Sequence, residues 1–192
     1  MRNLRAEAHR ASPQEAKTYL IGASRDGTFN RLHNTLRISQ KDARWLQILQ
    51  VLFARLGSRS WTYQEGKFTC ADLIRHIATI ERYMYAENVQ MKPSLYSGHG
   101  KELADGPENV LAFMDHLHGE SIEIFSRLTD EDLKKRCMTP AGISIPIAKW
   151  LRAMVEHEIH HRGQLYMYLG MLGITTPPIY GLTSEEVRAR SR

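Results

Sequence analysis

Cysteine is scarce in this 192-residue chain: Cys70 and Cys137 stand far apart, with no CxxC spacing. That excludes a disulfide framework and a thiolate metal knot. Cys70 then reads as a small apolar residue at a helix start. No apolar run approaches the roughly 18 residues of a membrane span. Met1-Arg2-Asn3-Leu4-Arg5 leads into mixed polar sequence, not into the apolar core of a signal peptide. A cytoplasmic protein with no membrane partner is the expectation. Strand patterns are few, and no internal repeat or low-complexity tract is visible.

A concentrated basic face is missing too. The formal charge is +5, yet residues 1–35 hold six basic and three acidic residues, and residues 183–192 hold three arginines against two glutamates. The body, 36–182, carries 17 basic and 16 acidic residues, a net of +1. No basic stripe interleaved with aromatics remains, so a nucleic-acid partner is excluded.

What is present is helical periodicity. After a weakly organised stretch to about residue 30, with a short helix expected over 13–20, apolar residues recur at helical spacing from Arg31 to Leu56. Gly57 is the stop signal. Residues 58–68 read as a loop. Thr69 caps the next helix, Cys70 to Val89, with Asp72 three residues on as a partial capping box. The segment 90–106 is a long connection carrying Pro93, Gly98, Gly100 and Gly106, and Pro107 opens a third helix running to about Leu128. Thr139-Pro140-Ala141-Gly142 suits a turn between two short extended pieces. A last long helix spans about Pro146 to Leu172, ended by Gly173, with a proline-rich tail expected to lie across the molecule. Four helices with little strand signal predict an all-α four-helix bundle preceded by an irregular N-terminal extension.

The chemistry concentrates in Glu156-His157-Glu158-Ile159-His160-His161-Arg162-Gly163-Gln164. His157 and His161, four residues apart on a helix, point the same way one turn apart and can chelate one metal ion. The third candidate ligand is His76, from the helix Cys70 to Val89. Three histidines leave positions open for water or substrate, the pattern of a catalytic centre. Zinc or nickel suits such donors ahead of iron or manganese. His160 lies about 100° around the helix from its neighbour and points elsewhere. Asp72 and Glu158 are placed to orient imidazoles, and Glu158, Glu81 and Tyr180 are the candidate general bases, none favoured. His157-Glu158-Ile159-His160-His161 also fits HExxH, but no His or Cys follows His161 to complete a zincin site.

At these residues the chain resembles the DinB-like superfamily, which includes the YfiT-type proteins. Gly66-Lys67-Phe68-Thr69-Cys70-Ala71-Asp72-Leu73-Ile74-Arg75-His76-Ile77 is similar to the family's entry into a helix bearing a ligand histidine. His157 to Leu165 is similar to its HxxxHRGQ motif, and the ending Leu172 to Gly181 to that of a subset of members. The resemblance covers roughly 31–187. It implies an up-down-down-up bundle with 90–106 as a crossover, a metal held by His76, His157 and His161, and a homodimer. Phe68 departs from it, since tryptophan is common there. The family is functionally mixed: some members are S-transferases or isomerases that use low-molecular-weight thiols, others look like metal-dependent hydrolases, and many have no assigned reaction. A metal-dependent transferase or hydrolase acting on a small molecule is therefore one reading. A non-catalytic metal-binding bundle or protein-interaction module is the other.

Overall fold

The computed structural model describes residues 61–176, 178 and 181–191. The expected helices over 13–20 and 31–56, the stop at Gly57, and Tyr180 lie outside the described residues.

The first described helix, α1 (Cys70–Ile80), starts where Thr69 was expected to cap it. The box is complete: Asp72 N–H donates to Thr69 Oγ1 at 3.1 Å and Thr69 N–H to Asp72 Oδ2 at 2.9 Å. The helix continues through a wider π turn, Glu81–Tyr85, into α2 (Ala86–Val89), so the expected span Cys70–Val89 is one helical stretch with one interruption. There Ala86 N–H donates to Glu81 O, five residues back. Pro107 occupies the first turn of α3 (Pro107–Phe125), after Gly106 at φ 94°, a left-handed conformation that favours glycine.

The irregular stretch after α3 contains more order than its sequence suggested. Thr129 and Asp132 form a second capping box that starts the short helix α4 (Asp130–Lys134). The two extended pieces are an antiparallel hairpin, β1 (Arg136–Met138) and β2 (Ser144–Pro146), with Cys137 opposite Ile145. The long helix α5 (Ile147–Met171) follows. It stops in a Schellman motif: Gly173 (φ 70°) N–H donates to Gly170 O and Ile174 N–H to Leu169 O. Ile174 then packs in the core beside Leu169, so the tail begins against the helices. A short exposed helix, α6 (Ser184–Arg190), ends the described chain and was not anticipated.

Two apolar clusters fix the directions of the long helices. Leu73, Ile74 and Ile77 of α1 meet Val110 from the start of α3, Leu165 and Leu169 from the end of α5, and Ile174 just beyond it. Ile80, Tyr85 and Val89 meet Phe125 from the end of α3 and Ile147, Leu151 and Val155 from the start of α5. Thus α1 and α3 run the same way, which the long 90–106 connection makes possible, and α5 runs against both. The protein is mostly helical, with one two-stranded sheet among the described residues. No described helix is long and apolar enough to cross a membrane.

Candidate metal centre

His76 adjoins Ile77 and stands one turn before Ile80 on the α1 stretch, and His157 and His161 lie between Val155 and Leu165 of α5. The three therefore sit at the seam between the two apolar clusters. Helix geometry supplies one pairing: His161 Nε2 is 3.1 Å from His157 Nε2. Antiparallel packing of α1 on α5 supplies the other, with His76 Nε2 3.2 Å from His157 Nε2. One donor atom from each of the three lies within 4.8 Å of the others, the sole such group of His, Cys, Asp or Glu among the described residues.

Burial and mutual repulsion keep these rings neutral. His76 is pushed down to about 3, first by desolvation and then by the facing charges of His161, His157 and His99. His157 is pushed down to about 4 by the same desolvation and by His161 and His160. His161 is lowered by burial, against the opposing effect of its bond to Gln164. Neutral imidazoles are the form that binds metal. Tetrahedral ligands about 2.0–2.1 Å from a zinc ion stand about 3.4 Å apart, close to the spacings found between these nitrogens. The residues fit a divalent cation in both chemistry and separation.

The side chains that orient the imidazoles are not those expected. Asp72 does not reach His76; its carboxylate caps Thr69 and pairs with Arg75 at 2.5 Å, and these contacts hold its pKa down despite desolvation. His76 Nδ1 instead meets Tyr96 Oη at 3.0 Å. Glu158 pairs with Arg162 on the adjoining face, at 3.5 Å. His161 Nδ1 donates to Gln164 Oε1 at 2.7 Å, leaving its Nε2 lone pair toward His157. Gln164 was visible as the last residue of the motif. Tyr96 was not, because nothing in a Gly- and Pro-punctuated connection announces where its phenol will land. Of the candidate bases, Glu81 is buried and bonded to His118 Nδ1 at 2.9 Å. His160 is exposed, as expected from its angle on the helix.

Phe68 forms an apolar wall, its ring 5.1 Å from that of His76, 4.4 Å from His99 and 6.2 Å from His161. A separate cavity of about 760 Å³ lies between the hairpin and residues 91–94, and none of its described lining residues is a histidine.

Comparison with known proteins agrees with this architecture. A family model described as the DinB superfamily matches residues 40–165. The chain is 28% identical over 123 residues to the uncharacterized protein YjoA of Bacillus subtilis, spanning 63% of this chain and 78% of that protein. It is 36% identical over 58 residues to the uncharacterized protein YrdA of the same organism, 30% of this chain and 34% of that one. The crystal structure of YjoA, a DinB-like protein, superposes with a TM-score of 0.56 at 20% identity, covering 71% of this chain and 92% of the other. A DinB-like protein from Bacillus cereus superposes with a TM-score of 0.57 at 20% identity, covering 79% and 95%.

Proposed function

We propose that this chain, which belongs to the DinB superfamily, is a metal-dependent enzyme that transforms a small molecule by thiol S-transfer or by hydrolysis. One observation carries the reading: three neutral, half-buried or buried imidazoles converge, and no fourth His, Cys, Asp or Glu joins them among the described residues. A structural site would be closed by a fourth protein ligand, whereas three leave room for a reactant.

His76, His157 and His161 would hold the ion, zinc or nickel by donor preference. When bound, such an ion supplies Lewis acidity that makes a water or a thiol a stronger acid near neutral pH. The protein's own contribution is orientation and exclusion of solvent. Gln164 fixes the His161 ring through Nδ1, and Phe68 offers an apolar face for the carbon skeleton of a substrate. A low-molecular-weight thiol as cosubstrate, a homodimer, and a domain spanning 31–187 with an up-down-down-up course belong to the same proposal. The opposed directions of α1 and α5, and the shared direction of α1 and α3, are compatible with the last three helices of that course. Tyr168 is buried against Trp61, their rings 5.4 Å apart.

The test is elemental analysis of the purified protein, followed by turnover assays of apo and reconstituted protein with electrophile-plus-thiol pairs and with esters. One metal per chain and turnover that returns with the ion support the proposal. Stoichiometric metal with no turnover in either screen would favour a non-catalytic metal-binding bundle, and a chain that takes up no divalent ion would end both.

A further inference from the structure

We propose that Tyr96 and His99, carried on the connection between α2 and α3, are positioning residues that fix the tautomer of His76. In this arrangement His76 Nδ1–H donates to Tyr96 Oη, and the Tyr96 hydroxyl donates onward to His99 Nδ1. Nε2 of His76 is left with its lone pair facing His157 and His161.

The distances define a continuous chain. His76 Nδ1 is 3.0 Å from Tyr96 Oη, and Tyr96 Oη is 3.1 Å from His99 Nδ1. A phenol has one proton to give and lone pairs to receive one, so it can serve both imidazoles at once. The direction follows from the far side of the His76 ring. Nε2 lies 3.2 Å from His157 Nε2, where a lone pair is needed for any shared cation. The other ring nitrogen must then carry the proton, and Tyr96 Oη is its acceptor. This mirrors His161, whose Nδ1–H is committed to Gln164. A ligand histidine generally has its tautomer set by the partner of its second nitrogen.

The connection is built to deliver this phenol. On one side of Tyr96, Leu95 N–H donates at 2.6 Å to Tyr83 O, within the π turn, and Ser94 Oγ reaches the same carbonyl at 3.2 Å. On the other side, Thr79 Oγ1 donates to Gly98 O at 3.2 Å, and buried Arg75 donates from Nε to His99 O at 2.7 Å and from Nη1 to Ala104 O at 2.9 Å. The backbone flanking Tyr96 is thus pinned twice to the helical stretch that carries His76. Phe68 packs edge-on against the His99 ring, with centroids 4.4 Å apart.

The direction of the proton along this chain rests on the proposed metal site, but the contacts of Tyr96 with His76 and His99 do not, and the experiment separates them. Long-range proton–nitrogen spectra of the metal-free, nitrogen-15-labelled protein at neutral pH should show His76 as the Nδ1–H tautomer. Tyr96→Phe keeps the ring and removes the hydroxyl, so His76 should become a mixture of tautomers or shift to Nε2–H. His99→Gln should give a smaller shift in the same direction, and it serves as the second variant should Tyr96→Phe fail to fold. Zinc affinity, read by competition with a chromogenic chelator, should fall about 10–100-fold in Tyr96→Phe, and the visible spectrum of the cobalt-substituted protein should change. An unaltered His76 tautomer in the variants would overturn the positioning pair. A wild-type tautomer that responds as expected, in a protein that binds no zinc, would uphold the pair and refute the metal centre instead.

Discussion

His76 and Glu81 stand five residues apart on one helical stretch, yet they sit in opposite electrostatic surroundings. Around His76 are other imidazoles, an aromatic wall and, among the described residues, no carboxylate partner, and burial drives the ring neutral. Around Glu81 the partner is His118, whose pKa is raised first by the hydrogen bond to Glu81 and then, against desolvation, by the charges of Glu81, Glu158 and Asp115. Arg82 extends that side, pairing with Glu87 and Glu120 at 2.5 Å each. Identical side chains are held toward the neutral, lone-pair form on one face and toward the protonated form on the other. What differs is only whether burial or a carboxylate is the nearer influence.

The comparison breaks most completely at the nitrogen cluster. Replacing His76, His157 or His161 singly with alanine should lower divalent-metal affinity by more than about 100-fold, beyond the range that supporting residues command. Chelator competition measures this, and His118→Ala should leave the affinity within about twofold. Equal losses at His118 would show that the two faces do not differ as described.

Arg75 tests whether burial is what keeps the first face neutral. Its guanidinium joins Asp72 to the carbonyls of His99 and Ala104 while almost fully buried. Arg75→Ala should cost about 3 kcal/mol, because a paired charge and buried carbonyls lose their partner. Urea denaturation reads the loss. With the connection released, the His76 ring should be better solvated and titrate higher by NMR.

The two faces should respond to pH with opposite sign. The imidazoles of His76, His157 and His161 are depressed in the folded state. Metal-free protein should therefore hold their contribution above about pH 6.5 and lose it as pH falls toward 4 and 3. His118 is raised, so its contribution is complete below about pH 6.5 and is lost as pH climbs through its folded value. His118→Gln should cost about 1 kcal/mol near pH 6 and less at pH 9, since the pair is partly exposed. Denaturation curves at several pH values decide it. A cost that grows toward alkaline pH would invert the assignment.

The smallest effect is expected at His160, which is exposed beside His161. His160→Ala should change metal affinity by no more than about twofold, because the ring points about 100° away from the centre. A loss comparable to that at His161 would mean the helix presents a different face.

Local sequence was enough for whatever a single helix can decide. The i,i+4 spacing of His157 and His161, the Thr69 cap, Pro107 opening α3 and the Gly173 stop each depend on neighbours within a turn or two, and each appears where it was read. The short helix Asp130–Lys134 was legible in the same terms, since Thr129 and Asp132 repeat the spacing of Thr69 and Asp72; it was missed because five residues carry almost no periodicity. Polar partnership was not legible. Asp72 is one turn from His76 in sequence, but the carboxylate is taken by the helix cap and by Arg75, while a tyrosine twenty residues away occupies Nδ1. The third ligand became a neighbour of the other two only through antiparallel packing of α1 on α5. Whether an imidazole is neutral or charged was likewise decided by tertiary structure, because desolvation and charge proximity depend on what folds over the ring. The sequence determined the helices and the donor atoms they display; packing determined which of those atoms meet.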